Sequence, residues 1–482
     1  MTSPIPTARE VTRLVAGRQL SARENLDFFL SRIDQYNPVL NAVIHDGRER
    51  ALERAIQIDA DLAAGRPVGR LAGVVMTIKE SFDVQGWPTT FGLTEFADHV
   101  AARTADVVQR LEAEGALIVG KTNVPPYLKD WQSGNPIHGH TCNPWNTRLS
   151  PGGSSGGAAA AVAAGLCSGE IGSDIGGSIR IPAHYCGICG HKPSRRLVSM
   201  VGHQLPNSLS GPGMACAGPL AATIDDLELL FDVIVGPSSH DSPAWSVHLP
   251  PARIAHTDSF RVGLIDTAPS APVDGAYRAV IARLADKLRG VGTTVVKGPF
   301  VECNMNDVHR LFINMLRATA SDGLSDHEFM QLIADVERTP ADDQSYLAAT
   351  NRAIVQRHRD WRRASQQVSE LDLRVKDLFD RVDVLVMPAA STAAFPIDRT
   401  RPREQRTLSI DGVSRDYNEQ LLWAGLAVLL GLPSTVVPIG VQDDGLPVGV
   451  QIIGRYLDDK TCLAFARQIE SLTTRLRPAG FD

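Results

Sequence analysis

Two serines of this 482-residue chain lie inside glycine-rich runs, where a side chain can stand close to exposed backbone N–H groups. Ser154 belongs to the run SPGGSSGG at residues 150–157, and Ser178 belongs to GSDIGGSIR at residues 172–180. Glycine has no Cβ and tolerates positive φ, so such loops can surround a ligand with backbone donors. The pattern predicts a serine nucleophile beside an oxyanion hole.

The segment between the two serines predicts a helix. Residues 156–166 read GGAAAAVAAGL, and this alanine-rich, uncharged composition is typical of a helix packed closely on all sides. Ser154 and Ser155 would lie at its N-terminus, where unpaired N–H groups and the helix dipole favour negative charge. The alternative is a glycine-rich turn and a tightly packed helix that carry no chemistry. A phosphate-binding loop is a further one, but the block has neither the P-loop lysine nor the Rossmann spacing.

A serine hydroxyl needs a base to become a nucleophile, and Lys79 is the leading candidate. Lys79 follows the apolar run LAGVVMTI at residues 71–78, which predicts a buried strand. Burial would lower the pKa of Lys79 from about 10.4 toward neutrality, so that its free amine could accept a proton. The alternative is a solvated lysine at a strand end, and spacing alone does not place Lys79 beside the serines.

Three motifs resemble, in this order, the amidase signature family of serine hydrolases: TIKE at residues 77–80, GGSSGG at 152–157 and DIGGSIR at 174–180. Flanking segments resemble that family too, at residues 117–123, 143–145, 186–193 and 445–451. The resemblance implies one α/β domain over residues 1–482, with a mixed central β-sheet covered on both faces by α-helices. It also implies that a variable, mostly helical segment at about 300–380 contributes to the substrate entrance.

The resemblance further implies a Ser–Ser–Lys triad. Ser178 would be the nucleophile, Lys79 the base and Ser154 the bridging serine, preceded by a cis peptide bond. The implied oxyanion hole consists of the main-chain N–H groups of Ile175, Gly176, Gly177 and Ser178. The implied supporting residues are Ser155, Ser173, Asp174 and Arg180, with Arg180 orienting Asp174 or meeting an acidic substrate.

The implied function is that of an amidase, which hydrolyses a small-molecule carboxylic amide to an acid and ammonia or an amine through a Ser178 acyl-enzyme, without metal or organic cofactor. One alternative is the glutamine-hydrolysing, ammonia-producing subunit of an amidotransferase. Residues 123–130, NVPPYLKD, depart from the acidic, phenylalanine-containing segment expected of that branch. A carbamate or ester hydrolase with the same triad and a catalytically inactive binding protein are further alternatives.

The substrate pocket is less well defined by the sequence. Trp131, Phe91, Leu422 and Trp423 would line an apolar pocket or belong to the core. We expect a neutral amide with an apolar or aromatic part, although specificity comes from loops that a fold-level resemblance does not describe.

Two other groups of residues suggest rival chemistry. His138, His140 and Cys142 are metal-ligand types, and a histidine here could serve a Ser–His–Asp triad instead. No spaced partner residues accompany them, so a polar loop is the preferred interpretation. Cys186 and Cys189 form a C-x-x-C without a second pair, which favours buried thiols.

Composition limits the partners and the location. A net charge of −6 provides no basic surface for nucleic acid. The apolar run at residues 421–441 is interrupted by Pro433 and Pro438, which predicts a buried helix and a core strand instead of a membrane span. Seven scattered cysteines and a polar N-terminus predict a cytoplasmic protein. The expected partner is a small-molecule amide, and a homodimer is left open.

Hydrophobic periodicity predicts alternating helices and strands along the rest of the chain. The predicted strands lie at residues 116–119, 261–265, 293–297 and 381–388, and the predicted helices include several between about 304 and 379 and a last one at 460–472. Residues 389–416 are predicted to form a long polar loop.

Overall fold

The computed structural model describes residues 5–206, 208, 213–254 and 256–481. Its strands are β1 (Val43–Asp46), β2 (Val75–Lys79), β3 (Leu117–Thr122), β4 (Gly134–Asn135), β5 (Gly139–His140), β6 (Gly169–Asp174), β7 (Cys189–Lys192), β8 (Cys216–Ala221), β9 (Arg261–Leu264), β10 (Thr294–Lys297), β11 (Val384–Pro388), β12 (Thr407–Ile410), β13 (Val413–Asp416), β14 (Ser434–Val441) and β15 (Pro447–Ile453). Eleven of them join in one sheet, in the order β1-β3-β2-β6-β8-β7-β14-β15-β11-β9-β10.

The α-helices surround this sheet. They are α1 (Ala8–Ala16), α2 (Ala22–Leu40), α3 (Arg48–Ala63), α4 (Asp106–Ala113), α5 (Gly156–Ala163), α6 (Arg180–Cys186), α7 (Ile224–Ile234), α8 (Gly275–Gly290), α9 (Met305–Ala318), α10 (Asp326–Arg338), α11 (Tyr346–Ile354), α12 (His358–Arg381), α13 (Leu421–Leu429) and α14 (Asp459–Leu472). Capping boxes at Thr7, Ser21 and Ser325 begin three of them, because a serine or threonine oxygen accepts from a free N–H of the first turn.

The sheet is mixed, and its central strands are buried on both faces. β2 pairs parallel with β3 and with β6, whereas β6 pairs antiparallel with β8. Every residue of β2, β3, β6, β8, β11 and β15 is buried. Successive strand residues point to opposite faces, so complete burial requires cover on both sides. The predicted fold class, an α/β domain with a mixed central sheet, is confirmed.

The predicted loop at residues 389–416 is wrong at its C-terminal end. β12 and β13 form an antiparallel hairpin there, with Ile410 opposite Val413. Asp411 and Gly412 connect the two strands with φ values of 50° and 78°. An Asp-Gly pair suits the two-residue turn that needs positive φ at both positions, and this pair was the signal for a hairpin.

The apolar run at residues 421–441 divides as predicted into a helix, α13, and a core strand, β14. Every residue of α13 is buried. Within the ranges that the structure describes, no helix combines the length and the apolar character needed to cross a membrane.

Candidate active site

Lys79 is the last residue of β2, and its side chain is completely buried. Its Nζ lies 2.7 Å from Ser154 Oγ and 2.9 Å from Ser173 Oγ, with the carbonyl oxygen of Ser173 at 3.4 Å. β2 and β6 are parallel neighbours, so the ends that carry Lys79 and Ser173 meet at one edge of the sheet. The fold thus brings together residues that are far apart in the sequence.

Burial lowers the pKa of Lys79 to about 7, although the carboxylates of Asp174, Glu170 and Glu80 act in the opposite direction. Desolvation dominates because an ammonium ion loses its hydration inside the protein. Near neutral pH a substantial share of Lys79 is therefore a free amine, which can accept a proton.

Ser154 lies just before α5, and the peptide bond between Gly153 and Ser154 is cis. Glycine is required at position 153, because a Cβ there would lie 2.3 Å from the carbonyl oxygen of Asp130. The helix that follows is uncharged and fully buried at its first seven residues, as the alanine-rich sequence predicts. α5 thus fixes Ser154 at the amine of Lys79.

Ser178 lies in the loop between β6 and α6, and this loop is built around Asp174. The Asp174 carboxylate accepts hydrogen bonds from the N–H groups of Gly177 (3.0 Å), Ile179 (3.0 Å) and Arg180 (3.3 Å). Arg180 also donates from Nε (3.0 Å) and Nη2 (2.9 Å), and both side chains are buried. Burial alone would raise the pKa of Asp174, but the charge and hydrogen bonds of Arg180 lower it to about 2. Arg180 therefore contacts Asp174 directly, and its role in orienting that carboxylate stays a prediction.

The four N–H groups predicted for the oxyanion hole differ in their hydrogen bonds, and Gly177 is the one with an acceptor. Its N–H is bonded to Asp174, and its φ of 89° belongs to the left-handed region that favours glycine. The N–H groups of Ile175, Gly176 and Ser178 have no hydrogen-bond acceptor in the part of the chain that the structure describes. The role of these three N–H groups in an oxyanion hole stays a prediction.

Residue Ser178 is 6 % exposed, whereas Ser154 is 1 % exposed. Ser178 Oγ has no hydrogen-bond partner among residues 5–206, 208, 213–254 and 256–481. Its carbonyl oxygen accepts from the N–H of Ser155 at 3.1 Å, which connects the two serine loops. Ser155 Oγ lies 3.4 Å from the backbone of Ser173, so Ser155 contacts the end of β6 as well as Ser178.

Three of the four residues predicted for the pocket occupy different environments. The Trp131 Nε1 donates to the carbonyl oxygen of Gly176 at 3.1 Å, so Trp131 borders the nucleophile loop. Leu422 and Trp423 are completely buried on α13, and the Trp423 Nε1 lies 3.2 Å from Ser391 Oγ. Their surroundings are those of core residues, the other interpretation of the sequence.

A cavity of about 680 Å³ lies beyond Trp131. Residues on either side of Trp131, Asp130 and Gln132, contribute to its lining, as do Arg317, Tyr346 and Thr350 from α9 and α11. The Arg403 guanidinium, also in the lining, lies 4.6 Å from the Trp131 ring centroid. Trp131 therefore contacts both the loop of Ser178, at Gly176, and a residue that lines this cavity, Arg403.

Among the described residues, neither rival group has the partners that its chemistry would need. Cys186 and Cys189 are free and buried, and burial raises the pKa of both thiols. In the described ranges, no three His, Cys, Asp or Glu side chains are grouped as metal ligands would be. His138 and His140 are partly buried, and burial lowers the pKa of each.

Sequence reasoning missed two residues of this region. Gln451 accepts from the Arg180 Nη1 at 2.8 Å and donates to the carbonyl oxygens of Pro388 and Trp423 at 2.8 and 2.6 Å. Its segment, residues 445–451, stands out in the sequence only by its resemblance to the family. His203 lies 2.9 Å from Ser173 Oγ, and an isolated histidine after a glycine provides no sequence signal.

Comparisons with known proteins agree with this geometry. The amidase family model matches residues 24–463. The chain is 35% identical to "Putative amidase AmiB2" of Mycobacterium tuberculosis (strain ATCC 25618 / H37Rv), over 95% of this chain and 94% of that protein. It is 30% identical to a glutamyl-tRNA(Gln) amidotransferase subunit of Thermosynechococcus vestitus, over 96% of this chain and 97% of that protein.

A solved structure, a bacterial aryl acylamidase of the amidase signature enzymes, superposes with a TM-score of 0.80 at 27% identity. The alignment covers 98% of this chain and 97% of that one. The chain therefore belongs to the amidase signature family, and it is a hydrolase of amide bonds.

Proposed function

We propose that this protein hydrolyses a small-molecule carboxylic amide to an acid and ammonia or an amine, with Ser178 as nucleophile. The observation that carries the proposal is the contact of 2.7 Å between the buried amine of Lys79 and Ser154 Oγ. A lysine with a pKa of about 7 can serve as a base at neutral pH. Ser154 is followed by Ser155, whose N–H donates to the carbonyl oxygen of Ser178 at 3.1 Å, so the segment that carries Ser154 contacts the nucleophile.

The proposed reaction begins with a proton relay. Neutral Lys79 takes the proton of Ser154, which takes that of Ser178, while Ser178 Oγ forms a bond to the amide carbon. When the tetrahedral intermediate collapses, the C–N bond breaks and the proton returns through Ser154 to the departing nitrogen. Water then attacks the acyl-enzyme, with its proton leaving by the same relay, and the carboxylic acid is released.

Charge on the tetrahedral intermediate would be stabilised by the N–H groups of Ile175, Gly176 and Ser178. Asp174 and Arg180 keep this loop in one conformation before the substrate arrives, and such preorganisation is what makes backbone donors effective. Trp131 supports the same loop from the other side through the carbonyl of Gly176.

We propose that the substrate enters past Trp131 and that the segment at about 300–380 contributes to the entrance. In support, α9 and α11 of that segment line the cavity beside Trp131. The lining includes Arg317 and Arg403, so a substrate screen should pair neutral aliphatic and aryl amides with analogues that carry a carboxylate. Carbamates and esters belong in the same screen.

The test of the nucleophile is the Ser178→Ala variant, with release of ammonia or amine as the readout. Turnover is expected to fall by several orders of magnitude, because no other group can form the acyl-enzyme. Ser369→Ala, an exposed position on α12, is the matched control and should keep the wild-type rate. An active Ser178→Ala variant would contradict the proposal.

The amidotransferase alternative is tested with the purified chain alone. The relative from Thermosynechococcus vestitus is one component of an amidotransferase, and similarity to it extends over nearly the whole chain. Hydrolysis of simple amides without partner proteins supports the amidase. Release of ammonia from glutamine only after partner proteins are added would support the alternative.

The location of the protein, its oligomeric state and its cofactor use need separate tests. We propose a cytoplasmic enzyme that needs no metal or organic cofactor. Cell fractionation tests the location, and size-exclusion chromatography distinguishes a monomer from a homodimer.

A further inference from the structure

The hydroxyl of Ser173 is the second group that contacts the amine of Lys79, and it leads to a histidine outside the sequence motifs. Ser173 Oγ lies 2.9 Å from Lys79 Nζ and 2.9 Å from His203 Nε2. The same ring nitrogen lies 3.0 Å from Ser81 Oγ. A chain of hydrogen-bonding groups thus extends from the loop between β7 and β8 to the amine of Lys79.

The His203 ring is held in place and uncharged. Its centroid lies 4.5 Å from that of Phe82 and 5.7 Å from that of Phe91. Burial lowers the pKa of His203 to about 3, and the charge of Lys79 acts in the same direction. A neutral imidazole has one nitrogen that accepts a hydrogen bond, and the two hydroxyls converge on Nε2.

The position of the Ser173 hydroxyl proton depends on the charge of Lys79. The three N–H groups of the ammonium donate to Ser154 Oγ, Ser173 Oγ and the Ser173 carbonyl oxygen. The hydroxyl proton of Ser173 then needs an acceptor other than the amine. His203 Nε2 is at the right distance to accept it.

We propose that His203 is a positioning residue that directs the lone pair of neutral Lys79 at Ser154. A neutral amine has two N–H groups and one lone pair. If the Ser173 hydroxyl donates its hydrogen bond to His203, the hydroxyl and carbonyl oxygens of Ser173 both accept from the amine of Lys79. The lone pair of the amine then faces the hydroxyl of Ser154. Without an acceptor at His203, the Ser173 hydroxyl turns and donates to the lone pair, in competition with Ser154.

This inference rests on the proposed function, because it assumes that Lys79 is the base. The main test is His203→Phe, which fills the space beside Phe82 and Phe91 but has no acceptor. kcat is expected to fall about tenfold, the order of one misdirected buried hydrogen bond, while KM is unchanged because His203 does not contact the substrate.

The pH profile separates positioning from a structural role. In His203→Phe, the Ser173 hydroxyl stabilises the neutral amine, so the ascending limb of kcat/KM is expected to move to lower pH. The charged groups around Lys79, namely Glu80, Glu170 and Asp174, are the same in both proteins. If His203 merely filled space, phenylalanine would fill the same space and the limb would stay at its wild-type position, which would also overturn the inference. A limb that moved to higher pH would overturn the inference.

A double-mutant cycle provides an independent test. Ser173→Ala removes the competing donor, so His203→Phe should cause no additional loss of kcat in that background. If the double variant loses as much kcat as the two single variants combined, the inference is overturned. His203→Gln keeps an acceptor oxygen and is expected to retain more activity than His203→Phe, with the limb near its wild-type position, and it replaces His203→Phe if that variant does not fold.

Two further measurements identify which claim fails. His99→Phe alters a partly buried histidine whose side chain is outside this chain of hydrogen bonds, and it should leave kcat unchanged. Ser178→Ala is assayed in parallel. An active Ser178→Ala protein would overturn the proposed function itself. If Ser178→Ala is inactive but His203→Phe keeps the wild-type rate and pH profile, only the inference about His203 is overturned.

Discussion

The dependence of kcat/KM on pH should report the protonation state of Lys79. Burial lowers its pKa to about 7, from an ordinary value of 10.5, and the deprotonated amine is the active form. kcat/KM should therefore rise tenfold per pH unit below 7 and level off above it, so that its value at pH 5 is about one hundredth of the plateau. An ordinary lysine would be neutral in only about one molecule in 3,000 at pH 7.

The decisive perturbation is Lys79→Arg, which keeps the positive charge but does not release a proton near neutral pH. A general base contributes about 10²- to 10⁴-fold, so kcat/KM should fall by at least two orders of magnitude and lose the ascending limb. Lys121→Arg is the matched control. Lys121 is also fully buried, with a pKa lowered to about 8 by burial, but its amine contacts Thr89 Oγ1 at 2.9 Å and no active-site serine.

The assay measures initial rates from pH 5 to pH 9, with circular dichroism to confirm that each variant is folded. The Lys121→Arg protein should keep the limb at its wild-type position. If Lys79→Arg retained most of the wild-type rate with an unchanged profile, Lys79 would not be the base. His138, His140 and His191 would then be tested in its place.

Three other outcomes are expected. Asp174→Asn leaves the buried guanidinium of Arg180 without its counter-ion, so the free energy of unfolding in urea should fall by about 3–5 kcal/mol, and a change below about 1 kcal/mol would contradict the Asp174–Arg180 account. Trp423→Ala should destabilise the protein by about 3–5 kcal/mol with unchanged KM, whereas a raised KM at unchanged stability would return Trp423 to the substrate pocket. Prolonged chelation should leave kcat/KM unchanged, since backbone N–H groups stabilise the oxyanion, and a loss of activity restored by zinc would refute the metal-free mechanism.

The elements of the site could be predicted from the sequence because each has a strong local signal. The uncharged alanine run could only be a closely packed helix, and the apolar run before Lys79 predicted the buried strand that carries it. The pairing of β2 with β6 has no such signal, because parallel neighbours are joined through intervening chain instead of a tight turn. The contact between Lys79 and Ser154 was therefore implied by family resemblance alone.

The directions of individual hydrogen bonds in the site could not be predicted from the sequence. Nothing in the run DIGGSIR indicates that the Gly177 N–H turns toward Asp174 while that of Gly176 does not. His203 likewise has no signal in the sequence, because its contact with Ser173 is made by a loop that folds back onto the end of β6. The hairpin of β12 and β13, in contrast, could have been predicted from its Asp-Gly turn. The segment was predicted to be a loop because its composition is polar.

The central claim, that Ser178 forms the acyl-enzyme, is tested most directly by covalent labelling. A serine-directed fluorophosphonate should inactivate the protein, and mass spectrometry of the digested product should locate one adduct on Ser178. The Ser178→Ala protein should remain unlabelled. An adduct confined to Ser155 or Ser173 would show that another serine is the nucleophile and would contradict the account.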